Sequence, residues 1–227
     1  MFRQDDDLLL VHTNAQLVDS EGHPMGLSLF AALGVSQSTV KKEHEGNGFA
    51  LLMRRNIVTG ATVLFRRSLL TFVLPFPKHW VHDEWLAVMA AALGKIDVSE
   101  DQLVKYRQHS NNQIGATALT LKGRWSRLTR DREDRNRLLL RRAEDLFARL
   151  EKLSNHVSPA NIQLAHHKVE HEKRRNSLPA RRWARILPVM LEAATGRYRT
   201  MGSGANDILR DLVQPSLTSK QVEKASS

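Results

Sequence analysis

The sequence predicts an α/β domain followed by a basic helical extension, and three observations lead there. Short β-forming apolar runs alternate with helical patterns through the first half. A leucine-rich stripe of helical period follows, with no further strand pattern after it. Charge divides near the same point: residues 1–115 hold 11 Lys+Arg against 12 Asp+Glu, and the remainder holds 23 against 12.

Leu8-Leu9-Leu10-Val11-His12-Thr13 is an apolar run suited to a strand buried on both faces, and 15–18 continues it. Asp19-Ser20-Glu21-Gly22 is turn chemistry. Helices are expected at 26–33 and 49–55, separated by a polar loop containing Gly46 and Gly48. Ala61-Thr62-Val63-Leu64-Phe65 reads as a strand, and Pro75 and Pro77 break the chain. A helix over 83–93 follows, which Gly94 ends, and then two strands at 95–98 and 103–108. In the extension, Leu139, Ala143, Leu146, Leu150 and Leu153 form one stripe on a long helix. That stripe serves either a coiled-coil dimer or packing on the parent domain. Ser158-Pro159 opens a second helix with a cap followed by proline. A third is expected over 178–194, kinked or divided at Pro188, and a short last one over 205–212 before a frayed end.

The length of 227 residues, with 41% hydrophobic and 26% charged residues, suits a soluble protein with a real core. No window is apolar enough to span a membrane. Three aspartates near the start argue against a secretory leader, so no targeting segment is expected. The absence of cysteine excludes disulfides and thiolate metal sites and suits a reducing, cytoplasmic location. The charge asymmetry points either to a surface that meets phosphate or anionic lipid, or to solvated helix faces. His166, His167 and His171 have a spacing that can bind metal, but in so basic a helix a solvated face is the expected reading.

Four segments stand out in order: Asn56-Ile57-Val58-Thr59-Gly60-Ala61-Thr62-Val63-Leu64-Phe65-Arg66-Arg67; Leu74-Pro75-Phe76-Pro77; His82-Asp83-Glu84-Trp85-Leu86-Ala87; and Tyr106-Arg107-Gln108-His109-Ser110-Asn111-Asn112. The series resembles bacterial family 2 glycosyltransferases of the GT-A fold, especially rhamnosyltransferase-like members. The resemblance covers about residues 8–116. It implies a partial GT-A domain over 1–116, the C-terminal half of that fold, with 117–227 as a basic α-helical extension.

The implied activity is inverting transfer of a sugar from a nucleotide-sugar donor to a glycan or lipid-linked cell-surface precursor. Such a transfer needs a carboxylate to take the proton of the attacking hydroxyl. The resemblance puts that base on Asp83, with Glu84 as runner-up; helix capping is the plainer alternative for Asp83. It implies that Thr59, Gly60 and Ala61 line the acceptor and donor-sugar side, together with His82. Arg107 and Asn112 are the implied phosphate contacts. His109 is the implied ligand of a divalent cation, Mg²⁺ or Mn²⁺, that offsets charge on the leaving diphosphate. Trp85 is read either as core packing or as acceptor wall.

The family's nucleotide-binding half, with its D-x-D carboxylates, would precede Leu8, so a chain lacking that half is expected. Asp5-Asp6-Asp7 is read as a turn rather than as the D-x-D motif. Under the transferase reading the basic tail lies near the inner membrane surface, where the arginines at 174, 175, 181, 182 and 185 would face the lipid head groups. The competing reading is a non-catalytic remnant, or one part of a split enzyme, whose tail binds a partner or a membrane surface. Nucleic acid is not expected, because only Trp125, Trp183 and Tyr198 could stack among the basic residues.

Overall fold

The computed structural model describes residues 2, 5–108 and 132–214. Its centre is β1 (Leu8–Val18), whose apolar run lets it be covered on both faces. Along one edge it pairs in parallel with β4 (Lys95–Arg107), from Leu8↔Lys95 to Val18↔Arg107. Along the other edge it takes two short antiparallel partners. β3 (Val63–Phe65) pairs at one end, with His12↔Val63, and β2 (Pro24–Ser28) at the other, with Val18↔Pro24. The result is a mixed four-stranded sheet in an α/β architecture.

The helices of this part are α1 (Leu29–Leu33), α2 (Gln37–His44), α3 (Gly48–Arg54), α4 (Leu70–Val73) and α5 (His82–Leu93). Every residue of α5 from Trp85 to Ala92 is buried. Four alanines in that stretch keep the helix close to its neighbours. Gly94 then turns the chain directly into β4; a Cβ there would lie 2.5 Å from the Asp7 carbonyl oxygen, so only glycine fits this approach. Asp5, Asp6 and Asp7 form a turn before β1, with Asp5 accepting from the Asp7 N–H and pairing with Lys95 at 3.0 Å.

Several expected boundaries move. The segment 26–33 is a strand end followed by α1, because Ser28 caps that helix by accepting from the Ala31 N–H. The polar loop between the early helices contains α2, whose Val40 and Glu43 alone are buried. The strands at 95–98 and 103–108 are one strand, because register shifts around Thr13, Asn14 and Ala15 absorb the polar residues between them.

The helical part comprises α6 (Arg132–Lys152), α7 (Pro159–Asn176), α8 (Ile186–Ala194), α9 (Arg197–Met201) and α10 (Ala205–Val213). The α6 stripe packs inward: Leu146 and Leu150 join Trp85, Met89 and Leu10 in one core, as packing on the parent domain requires. Ser158 caps α7 through the Asn161 N–H, with Pro159 at the first helical position. The expected third helix is a 3-10 turn, Trp183–Arg185, leading into α8. Pro188 falls in the first turn of α8, where no intrahelical donor is needed, so it neither kinks nor divides the helix.

In the helical part a smaller apolar cluster of Leu178, Val189 and Tyr198 sits beside a buried ionic network. Arg175, 1% exposed, meets Asp211 at 2.7 Å, Glu172 at 3.1 Å and Asp207 at 3.6 Å. His171, expected on a solvated face, is instead fully buried with Nδ1 2.8 Å from Glu192. Arg175 and Arg185 are likewise buried and cannot face lipid; Arg185 spends its N–H groups on the carbonyls of Pro179, Ala180, Asp211 and Gln214.

This network makes stability depend on pH. Burial holds the His171 imidazole below the ordinary histidine value. Burial alone would raise the carboxyls of Glu172 and Asp207. Lys168 and Arg175 outweigh it at Glu172, as Arg175 and Arg135 do at Asp207, so both lie below the usual range. All three values are depressed on folding, so the unfolded chain binds more protons as pH falls. Their contribution is present above the unfolded values, about 6.5 for histidine and about 4 for carboxyls, and is lost below them. The urea midpoint is expected to fall from about pH 7.5 to about 5.5, and again to about 3.5; a midpoint constant through both steps would contradict this.

Candidate active site

The start of α5 and the turn before β3 meet. The backbone N–H of Gly60 donates to Asp83 Oδ2 at 2.8 Å, across 23 positions of sequence. A Cβ at Gly60 would lie 3.3 Å from both Asp83 Oδ2 and His82 Nε2, so the close approach uses the bare glycine backbone. Gly60, His82 and Asp83 therefore form one constellation. Val81 holds the cap position of α5 and Asp83 is its second residue, so Asp83 is not the cap. Its Oδ1 accepts from the Glu84 N–H at 2.8 Å, and a carboxylate in this first turn is favoured by the helix dipole. Asp83 is half-buried and His82 exposed, which leaves the carboxylate at a surface.

The turn that carries Gly60 is tied down locally. Thr59 is buried, and its carbonyl accepts from both the N–H and the hydroxyl of Thr62 at 2.9 Å. Ala61 is exposed beside it within the 3-10 turn Gly60–Thr62.

Glu84, one position on, takes a different direction, since successive helical residues point about 100° apart. Arg142 of α6 donates to it at 2.7 Å. Burial raises the Glu84 carboxyl above its ordinary value; Arg142 opposes the rise and Asp83 adds to it. Glu84 lines a cavity of about 130 Å³ together with Asn56, Trp80, Arg142 and Lys168. Neither Arg142 nor this cavity was foreseen, since Arg142 lies in the helical extension and carries no motif.

Of the two readings of Trp85, the structure takes core packing, and the acceptor-wall reading is the one corrected. Trp85 is 0% exposed, its indole N–H donates to the Val73 carbonyl at 2.9 Å, and Trp80 packs 5.3 Å from it. No face of it remains for a substrate. Arg107 lies at the far end of β4, in register with Val18, and donates to the Ser20 carbonyl at 3.0 Å, bracing the turn after β1. His109 and Asn112 lie outside the described residues.

The structure also pairs groups that no motif announced. His12, buried in the middle of β1, sits 2.8 Å from the buried Glu43 of α2 and 5.8 Å from the Phe30 ring. Their separation of 31 positions left no local signal. For a metal, the described residues bring together one set of three donors, Asp19, Glu21 and His23, on the turn after β1. Asp19 there already accepts from the Glu21 and His23 N–H groups, and the set does not include Asp83. The described residues thus do not build a cation site at Asp83. No family model, no curated protein and no solved structure matches this chain.

Proposed function

We propose that the protein is a glycosyltransferase of the GT-A type, passing a sugar with inversion from a nucleotide-sugar to a glycan or lipid-linked acceptor. The observation that carries this reading is the Gly60 N–H to Asp83 contact. Two segments that resemble separate family motifs meet there around one accessible carboxylate. Asp83 takes the proton of the acceptor hydroxyl as its oxygen forms the new bond to the anomeric carbon; the bond to the diphosphate breaks on the opposite face. The Gly60 N–H fixes the carboxylate in place, and the exposed His82 and Ala61 border the approach. Glu84, held by Arg142, is a strut between α5 and α6 rather than the base.

A divalent ion belongs to this reading only through His109, and no step is assigned to it. Titration calorimetry with UDP and dTDP, with Mn²⁺ and then with a chelator, tests the donor side. Binding of one nucleotide near micromolar, about 8 kcal/mol, is what this reading requires, and it would overturn the expectation that the nucleotide-binding half is missing. Loss of binding in the chelator would assign the ion to the donor site, and unchanged binding would remove the ion from the reading. A folded chain that binds neither nucleotide would contradict the reading itself. It would favour instead a non-catalytic protein that works through its helical tail, for which the outward face of α8 speaks.

A further inference from the structure

We propose that α8 docks the protein on an anionic lipid bilayer, lying in the plane of the interface. This goes beyond the transferase reading and does not depend on it.

The outer face of α8 and of the 3-10 turn before it carries Trp183, Ile186, Leu187, Met190 and Leu191, each between 56% and 69% exposed. Their spacing of 3, 1, 3 and 1 makes one continuous stripe. A surface helix ordinarily buries its apolar side and shows polar groups to water; α8 turns most of its large apolar side chains outward. The stripe cannot be relieved by rotating the helix. The inner side holds Arg185, Val189 and Glu192, all buried. Arg185 is tied to four backbone carbonyls, while Glu192 accepts from Arg174 at 2.9 Å and meets His171 at 2.8 Å. Turning the stripe inward would break these contacts and expose Val189.

The charge around the stripe selects the occupant. Arg181 and Arg182 are exposed at its start, and no acidic residue occurs from 181 to 191. The nearest, Glu192, faces inward. A helix with an apolar face, an interfacial tryptophan and flanking arginines matches an anionic headgroup layer. At nine residues, α8 is about 13 Å long, against about 30 Å for the hydrocarbon core, so it lies along the membrane and does not cross it. Among the described residues no helix is long and apolar enough to cross. Trp183 and the aliphatic side chains would enter the headgroup boundary, with Arg181 and Arg182 on the lipid phosphates.

Co-sedimentation of the full chain with vesicles tests this, using phosphatidylcholine alone and phosphatidylcholine containing a quarter phosphatidylglycerol. The chain should sediment with the anionic vesicles, and raised salt should weaken the binding. Leu187→Glu combined with Leu191→Glu should lower the bound fraction by about tenfold or more, and Arg181→Gln with Arg182→Gln should remove most of the salt dependence. All four positions are exposed, so circular dichroism and the melting temperature should not change. A wild-type chain that ignores anionic vesicles, or a leucine double variant that binds as well as wild type, would overturn the proposal. So would a wild-type dimer that the leucine changes convert to monomer without any vesicle binding, which would make the face a contact between copies. The assay contains no sugar donor, so it can fail while the transferase reading stands, and the reverse also holds.

Discussion

Asp83→Asn is expected to lower nucleoside diphosphate release from the sugar donor by about 10²–10⁴-fold, the usual contribution of a positioned base. The substitution keeps the shape of the side chain and one oxygen to accept the Gly60 N–H, so the junction between α5 and the turn before β3 should survive. What it removes is the capacity to take a proton, together with the bond accepted from the adjacent Glu84 N–H, which the amide NH2 cannot replace. The loss should therefore fall on turnover, with affinity for the nucleotide changed less than about twofold, as for an interaction made only in the transition state. A variant that turns over at the wild-type rate would remove Asp83 from the mechanism. One that loses nucleotide affinity in proportion would make Asp83 a donor-binding group.

The largest effect on stability is expected at Asp211→Ala. Asp211 is buried and accepts from Arg175 Nε at 2.7 Å and from the Tyr198 hydroxyl at 2.9 Å. Removing it leaves the Arg175 guanidinium in the interior with Glu172 and Asp207 as remaining partners, and leaves the Tyr198 hydroxyl without its acceptor. Breaking such a pair from one side costs about 3–5 kcal/mol, because the surviving charge stays desolvated. For a chain of this size that is a fall in Tm of roughly 6–20 °C. A single variant that melts within about 2 °C of wild type would mean the network does not bind α10 to α7.

What the sequence made legible was local. The apolar run of β1, the Ser158-Pro159 cap, the stop at Gly94 and the α6 stripe are each written in neighbouring residues, and each stands where expected. What it hid needed knowledge of distant partners. α2 looked like a loop because its inward side is only Val40 and Glu43, and Glu43 becomes intelligible only once His12 is found beside it. His171 and Arg175 looked like solvated charges because their carboxylates, on Glu192 and Asp211, lie 21 and 36 positions away. Periodicity shows that a helix has an apolar side, not that the side is inward, and on α8 most of the large apolar side chains point outward. The candidate site was legible only in part. Thr59, Gly60, Ala61, His82 and Asp83 came from the resemblance, and the contact that joins Gly60 to Asp83 required the fold. Trp85 was open between core and wall until its burial was seen.

The proposal that Asp83, and not its neighbour, is the base is tested most directly by one paired comparison. Nucleoside diphosphate release from a panel of nucleotide-sugars, with lipid-linked acceptors supplied, is measured for wild type, Asp83→Asn and Glu84→Gln. Glu84→Gln keeps a hydrogen-bond acceptor for Arg142 and should stay within about tenfold of wild type, while Asp83→Asn falls by about 10² or more. A reversed order, or a folded wild-type chain that releases no nucleotide from any donor, would contradict the account.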